Sequence, residues 1–303
     1  MLRSFTKPAL TIDGQIAHLR GHGLIVESED FARFWLSNVS YYRLSAYWLY
    51  FERPKNEGGP RFRIGTRFED VTNLYDFDRN LRRMVMRGTE HVEVALRGSW
   101  AYQLAHCGGS HSYLNVDIYR NRDALRASLK KLTNAVNASS ETYIKHYRDN
   151  YGDPALPPVW MVAEMMSFGQ LSRWYSNLSD RALKTRIAEP LGLSATVLVP
   201  LVRHVTDIRN ICAHHGRLWN RRFLQPPKLA SNPPELRHSL DLEANQAPAK
   251  LYNGLTMIGH IVRHVAPAST WSADLANLIA TNPFCDFAAM GFPANWKQRP
   301  LWS

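Results

Sequence analysis

Arg209, Asn210, His214 and His215 fall within one stretch, RNICAHHGRLWN (209–220), which sets a permanent cation, an amide and two imidazoles at what reads as the end of a helix. A guanidinium stays charged and presents a planar fork to a phosphate, while an imidazole gains and loses its proton near neutral pH. Metal-free cleavage of a ribose-phosphate backbone needs a base for the 2′-OH proton, an acid for the 5′ leaving oxygen and cations for the phosphorane charge. Two histidines and two arginines would complete that set. On an ideal helix the five positions from Arg209 to His214 turn through about 140°, so the two border neighbouring faces and one copy amounts to half a site. A two-fold dimer would bring the same helix end from each subunit to the axis. His215 offers a second registration of the spacing.

The helix that must carry these residues runs from about Ser194, placed as a cap, through Leu198, Leu201, Val205, Ile208 and Cys212. Before it, Thr11 or Asp13 can cap GQIAHLR and Ser28 can cap EDFARFWLSNV. Helical spacing also covers 66–106, with Gly88 as a bend, 120–148, and 159–177, where Pro157 and Pro158 stand at a tolerated start. Leu251, Leu255, Ile258 and Val262 mark a long helix, and SADLANLIATN a short one, while KNEGGPRFRIG reads as a loop or short hairpin and LQPPKLASNPPELRH as a Pro-rich loop. Strand-like alternation is nearly absent and there is no internal repeat. The expected class is all-α, a helical bundle with an N-terminal helical extension over 1–60 and a main domain over 61–303 that ends in short helices and a tail.

Charge points to the partner. Thirty-seven Lys and Arg against 26 Asp and Glu give +11 and a pI near 9.7, which favours a polyanion, nucleic acid before membrane. Around the helix end Arg203, Arg209, Arg217, Arg221 and Arg222 face one acid, Asp207. Arg122, Arg126 and Lys130 lie on the basic side of the 120–148 helix, and Arg61, Arg63 and Arg67 on a loop that can follow a backbone. Tyr41, Tyr42, Arg43, Tyr47 and Trp48 have the composition of a base-stacking platform, though aromatics at this density in a short helix more often form core.

Glu164 interrupts the apolar WMVAEMMSF, where a carboxylate needs a partner, and orienting Arg209 is one use for it. Glu90, Glu93 and Arg97 share helical spacing that reads more simply as an intrahelical pair from Glu93 to Arg97. No cofactor or metal is expected. His260 and His264 lack a third ligand at recognisable spacing, and there is no H-E-x-x-H, no paired C-x-x-C, no P-loop and no G-x-S-x-G elbow. Cys107, Cys212 and Cys285 read as reduced thiols. With no signal-like start and no apolar run long enough for a bilayer, the expectation is a cytoplasmic protein without a membrane partner.

Several longer blocks carry a resemblance. RNICAH matches the R-x(4 to 6)-H motif of HEPN ribonucleases, and NVSYYRLSAYW, NLYDFDRNLRRMV, EHVEVALRGSWAY, PPVWMVAEMMSFGQLSRWYSNL, IRNICAHHGRLWNRRF and MGFPANWKQRPLW together resemble the Abi-like (abortive infection, AbiD/AbiF type) family in their order along the chain. The resemblance implies a HEPN-like bundle, a role in phage defence or as a toxin, RNA cleavage without metal, and a noncoding RNA as a possible antitoxin. Carried over by motif, it makes Arg209 and His214 (or His215) the catalytic pair and Asn210 an orienting neighbour. The expected protein is a homodimeric endoribonuclease leaving 2′,3′-cyclic phosphate and 5′-OH ends. Two alternatives stand beside it: a HEPN-fold RNA-binding protein that does not cut, and a metal-dependent nuclease.

Overall fold

The structure, a computed structural model, describes residues 4, 6, 8–54, 57–244, 249–283 and 286–303. Among them are thirteen α-helices and no β-strand, so the all-α expectation holds. The chain divides into two compact units, Met1–Leu81 with Thr281–Cys285, and Arg82–Ala280 with Asp286–Ser303; Cys285 itself lies outside the described residues.

In the first unit, α1 (Ile12–Gly21) starts where the Thr11 hydroxyl accepts from Gly14 N–H, and α2 (Glu29–Asn38) where Ser28 accepts from Phe31 N–H. Helix α3 (Tyr41–Trp48) follows. Tyr47 and Trp48 are buried, with the Tyr47 hydroxyl donating to Asp78 Oδ2 at 2.7 Å, so these two rings serve as core and not as stacking surface. Tyr42 is 88% exposed. The loop before α4 (Phe68–Gly108) closes as a short hairpin, through Arg53 N–H to Arg61 O and Arg63 N–H to Phe51 O.

The second unit holds the rest of α4, then α5 (Arg122–Ala138), α6 (Thr142–Asn150), α7 (Val159–Met165), α8 (Phe168–Asn177), α9 (Arg181–Ala188), α10 (Ala195–Ala213), α11 (Pro234–Ser239), α12 (Leu251–Val265) and most of α13 (Trp271–Thr281). Helix α10 packs against α8, α9 and α12, and α5 against α7 and α8. Two expected long helices are each two shorter ones. The 120–148 segment breaks between Ala138 and Thr142, and the 159–177 segment breaks at Met166 because Ser167 and Gln170 form a reciprocal capping box that starts α8. Helix α9 and the short α11, inside the expected Pro-rich loop, are additions to the sequence reading.

Gly88 does not break α4, which is one unbroken helix of 41 residues. It makes room: a Cβ there would lie 2.4 Å from Trp271 Cε2, and the same indole donates from Nε1 to Met84 O at 2.7 Å. Alanine gains about 1 kcal/mol of helix propensity over glycine, but overpacking against a buried, hydrogen-bonded indole costs roughly 1–3 kcal/mol. Gly88→Ala is therefore expected to lower the melting temperature. A raised value in a thermal melt would contradict this packing.

Candidate functional site

One broad side of α10 is buried. Leu198, Leu201, Val202, Val205, Ile208 and Cys212 form its core side, and His204 and Thr206 are buried beside them. Thr196, Arg203 and Asp207 form an exposed stripe along its other side, and at the C-terminal end Arg209 and Asn210 are half-buried while His214 and His215 are exposed. Ser194 occupies the N-cap position, though its hydroxyl meets Thr196 Oγ1 and not a backbone N–H.

The helix ends in a Schellman motif: His215 N–H donates to Cys212 O at 3.0 Å and Gly216 N–H to Ile211 O at 2.8 Å. The left-handed residue of the motif is His215, at φ 56°, one position before the glycine. A side chain there carries a backbone cost that glycine would not, of about 1 kcal/mol. The turn separates the two imidazoles. His214, the C-cap, faces a cleft, and His215 is not part of the cleft lining.

Arg209 is held from another direction. Its Nε lies 3.7 Å from Glu93 Oε2 on α4, and its Nη1 is 3.4 Å from Asn210 Oδ1. Glu93 also accepts from Arg97 Nη2 at 2.8 Å, the expected i, i+4 pair, and the same Nη2 donates to Met166 O at 3.1 Å in the α7–α8 break. Glu164 is not buried and does not pair with Arg209. Its side chain is 59% exposed and sits 3.5 Å from Arg97 Nη1. The carboxylate that positions Arg209 is thus Glu93, which its helical spacing reveals only as a partner for Arg97. Nothing local in the sequence signals its reach to a residue on α10.

The cleft before His214 encloses about 630 Å³ and is lined by Asp207, Asn210, His214, Arg221, Arg222 and Leu224, among others. Its far wall is the chain after α10, pinned by buried Leu218, Trp219 and Phe223 and by the reciprocal backbone pair of Phe223 with Ala249. His204 fastens the same wall from inside: its ring packs on Phe223 at 4.9 Å and Nδ1–H donates to Gln225 O at 3.1 Å. Arg209 and His214 are consequently served by different surroundings, the first by α4 and the second by the cleft, with Asn210 adjoining both.

The other basic candidates are placed unevenly. Arg221 and Arg222 line the cleft, while Arg217 is half-buried after the turn. Arg122 pairs with Asp117 and Arg126 with Asp123, each at 3.2 Å on the exposed side of α5, and Lys130 is exposed on the same helix. In the first unit Arg61 binds Glu52 through Nε at 2.8 Å, Arg67 pairs with Glu27 at 3.0 Å, and Arg63 lies over the Tyr50 ring. Among the described residues no group of three His, Cys, Asp or Glu is arranged to hold a metal ion. His260 Nε2 meets Gly192 O and His264 Nδ1 meets His260 O, both at 2.9 Å. Cys107 and Cys212 form no disulfide, and no single described helix is long and apolar enough to cross a membrane.

Two measurements test this geometry. Glu93→Gln leaves the half-buried Arg97 and Arg209 without their shared anion and should cost about 2 kcal/mol, less than a fully buried broken pair. In a double-mutant cycle with Arg209→Ala, a coupling of at least about 0.5 kcal/mol is expected, and strict additivity would remove Glu93 as the residue that holds Arg209. Burial pushes the His204 imidazole down to about 4 from 6.5. Because the folded value is the lower one, the unfolded chain takes up this proton first, and stability present above pH 6.5 is lost as pH falls toward 4. The contribution is up to about 3 kcal/mol. Denaturant unfolding of His204→Gln should show a flatter pH dependence across this window than the wild type, and equal slopes would contradict the assignment.

The model of a protein family described as Abi-like protein matches residues 34–220. That span contains Glu93, Arg97, Glu164 and the end of α10, and stops before the C-terminal block MGFPANWKQRPLW. No curated protein and no solved structure matches the chain.

Proposed function

Because the chain belongs to the Abi-like family, we propose that it is a metal-independent endoribonuclease of the HEPN type that acts in abortive infection or as the toxin of a toxin-antitoxin pair. The observation that carries this reading is the division at the end of α10. Arg209 is held through Nε by Glu93 and through Nη1 by Asn210 Oδ1, which leaves Nη2 to an outside anion, while His214 stands apart in an open, arginine-lined cleft. One copy then offers one cation and one imidazole, half of what 2′-OH attack requires.

A second copy across a two-fold axis supplies the remainder. One His214 takes the 2′-OH proton, and its oxygen attacks the adjacent phosphorus. The other His214 gives a proton to the departing 5′-oxygen, so the products are a 2′,3′-cyclic phosphate and a 5′-OH. Both Arg209 forks bear on the phosphoryl oxygens, where charge grows in the transition state. Glu93 acts through Arg209 and touches no substrate, and Asn210 sets the guanidinium beside it. His214 is preferred to His215 because it lines the cleft.

The deciding experiment incubates the purified full-length protein with labelled RNA in EDTA, alongside Arg209→Ala and His214→Ala, and maps the product ends. Cleavage by the wild type with cyclic-phosphate ends is expected, falling by about 10²-fold or more in each variant, the scale for loss of a general base or of a transition-state donor. A 3′-OH product, or cutting that needs a divalent ion, would overturn the mechanism. RNA binding without cutting by the wild type would favour a recognition platform.

A further inference from the structure

A second basic hollow lies on the same unit, between α5 and α8. It encloses about 350 Å³, and its lining includes Arg120, Lys131 and Arg173 together with Ser128 and Asn121 but no carboxylate. These are not the cations that composition singles out on α5. Arg122 and Arg126 already have aspartate partners, whereas among the described residues no ion pair is made by Lys131 or Arg173. The pocket is built and not incidental. Asn121 N–H donates to Asn177 Oδ1 at 3.0 Å and Asn177 Nδ2 to Asn121 O at 2.9 Å, which ties the start of α5 to the end of α8. Arg120 and Lys184 both donate to Ser176 O, so a third and a fourth cation are fixed at this seam. Burial and then the Arg120 charge push the Lys184 ammonium below the usual lysine range, a further sign that positive charge gathers here without a counter-ion.

The hollow also has a connection to α10. A Cβ on Gly169 would lie 3.4 Å from Thr206 Cγ2 on one side and 3.9 Å from Arg173 Nη1 on the other. Gly169 thus adjoins both the Arg173 guanidinium and Thr206 on α10, whose neighbour in sequence, Asp207, lines the His214 cleft. Helix α8 packs against both α10 and α5, so a polyanion that leaves the cleft across α8 meets Arg173, then Lys131.

We propose that the α5–α8 hollow binds a backbone phosphate of the same RNA strand that enters the α10 cleft, with Lys131 and Arg173 as its ligands. The proposal rests on the RNA reading above and names where the strand is held beyond the point of cutting. Uncompensated cations in a concave, partly apolar site attract a phosphate more strongly than paired cations on an open helix face, because no existing ion pair has to be broken.

The test is fluorescence anisotropy with labelled single-stranded RNA on the full-length protein over a range of salt concentrations. It compares the wild type, Lys131→Ala with Arg173→Ala, and Arg122→Ala with Arg126→Ala. Losing the hold on one backbone phosphate should make the slope of log affinity against log salt shallower by about 0.7 and weaken binding roughly tenfold. The Arg122 and Arg126 variant should change less. On the unmodified protein, RNA should protect Lys131 from acetylation, a readout that does not depend on how well a variant folds. Wild-type binding with no change in the Lys131 and Arg173 variant, and no protection of Lys131, would overturn the hollow and leave the RNA reading in place. No binding of RNA by the wild type would overturn both. Displacement of the strand from Lys131 by excess free mononucleotide would overturn the strand in favour of a small phosphorylated ligand.

Discussion

One carboxylate between two guanidiniums decides how this molecule presents its charge. Glu93, with 14% of its side chain exposed, sits against Arg97 on its own helix and Arg209 on α10. A second carboxylate, Glu164, lies 3.5 Å from Arg97 but is 59% exposed, so water screens it more than it screens Glu93. Arg97 takes the closer share, at hydrogen-bond distance, and its Nη groups also reach Met166 O and Glu164. Arg209 is held more loosely, at 3.7 Å through Nε, with Nη1 donating to Asn210 Oδ1 and a third of the side chain exposed. The arrangement orients a cation without consuming it.

The same pairing explains why the fold needs both α4 and α10. Burial of the broad apolar side of α10 fixes the rotation of the helix about its axis, and that rotation determines which side chains emerge at its C-terminal end. Arg209 emerges toward Glu93 and His214 toward the cleft, in keeping with their angular separation of about 140°. Moving either residue to the other's side would require turning the helix, which would drive Val205 and Ile208 out of the core. The separation is thus enforced by packing energy, and under the proposed mechanism a second copy of the helix end brings cation and imidazole together. The wall opposite His214 is fixed just as indirectly, by the neutral, buried His204 that reaches Gln225 O.

Much of this is legible in the chain. The stripe Leu198, Leu201, Val205, Ile208 and Cys212 locates α10, and the motif at its end locates the cation and the imidazole. Other features were written in the sequence but fell outside a reading based on apolar period. The S-x-x-Q box at Ser167 and Gln170 announces the start of α8, and Asp180 followed by Leu183 and Ile187 announces α9. The reach of Glu93 to Arg209 belongs to another category. It joins positions on two separate helices, and local spacing shows only the nearer partner, Arg97. Glu164 misled for a related reason: an acid within an apolar run implies burial, yet its place on the surface of α7 lets it stay half in water.

Net charge is a coarse guide to where a polyanion would lie, and the ion pairs refine it. Arg61, Arg67, Arg122 and Arg126 all count toward the formal +11, yet each sits beside a carboxylate that an incoming phosphate would have to displace. Lys131, Arg173, Arg221 and Arg222 count equally in composition, but they line concave surface beside α8 and α10. Attraction for a phosphate depends on the field left after the protein's own pairs are made. By that measure the helices that bury α10 also assemble the basic surface, because the packing that excludes water from one side of α5 and α8 sets their cations around a common hollow.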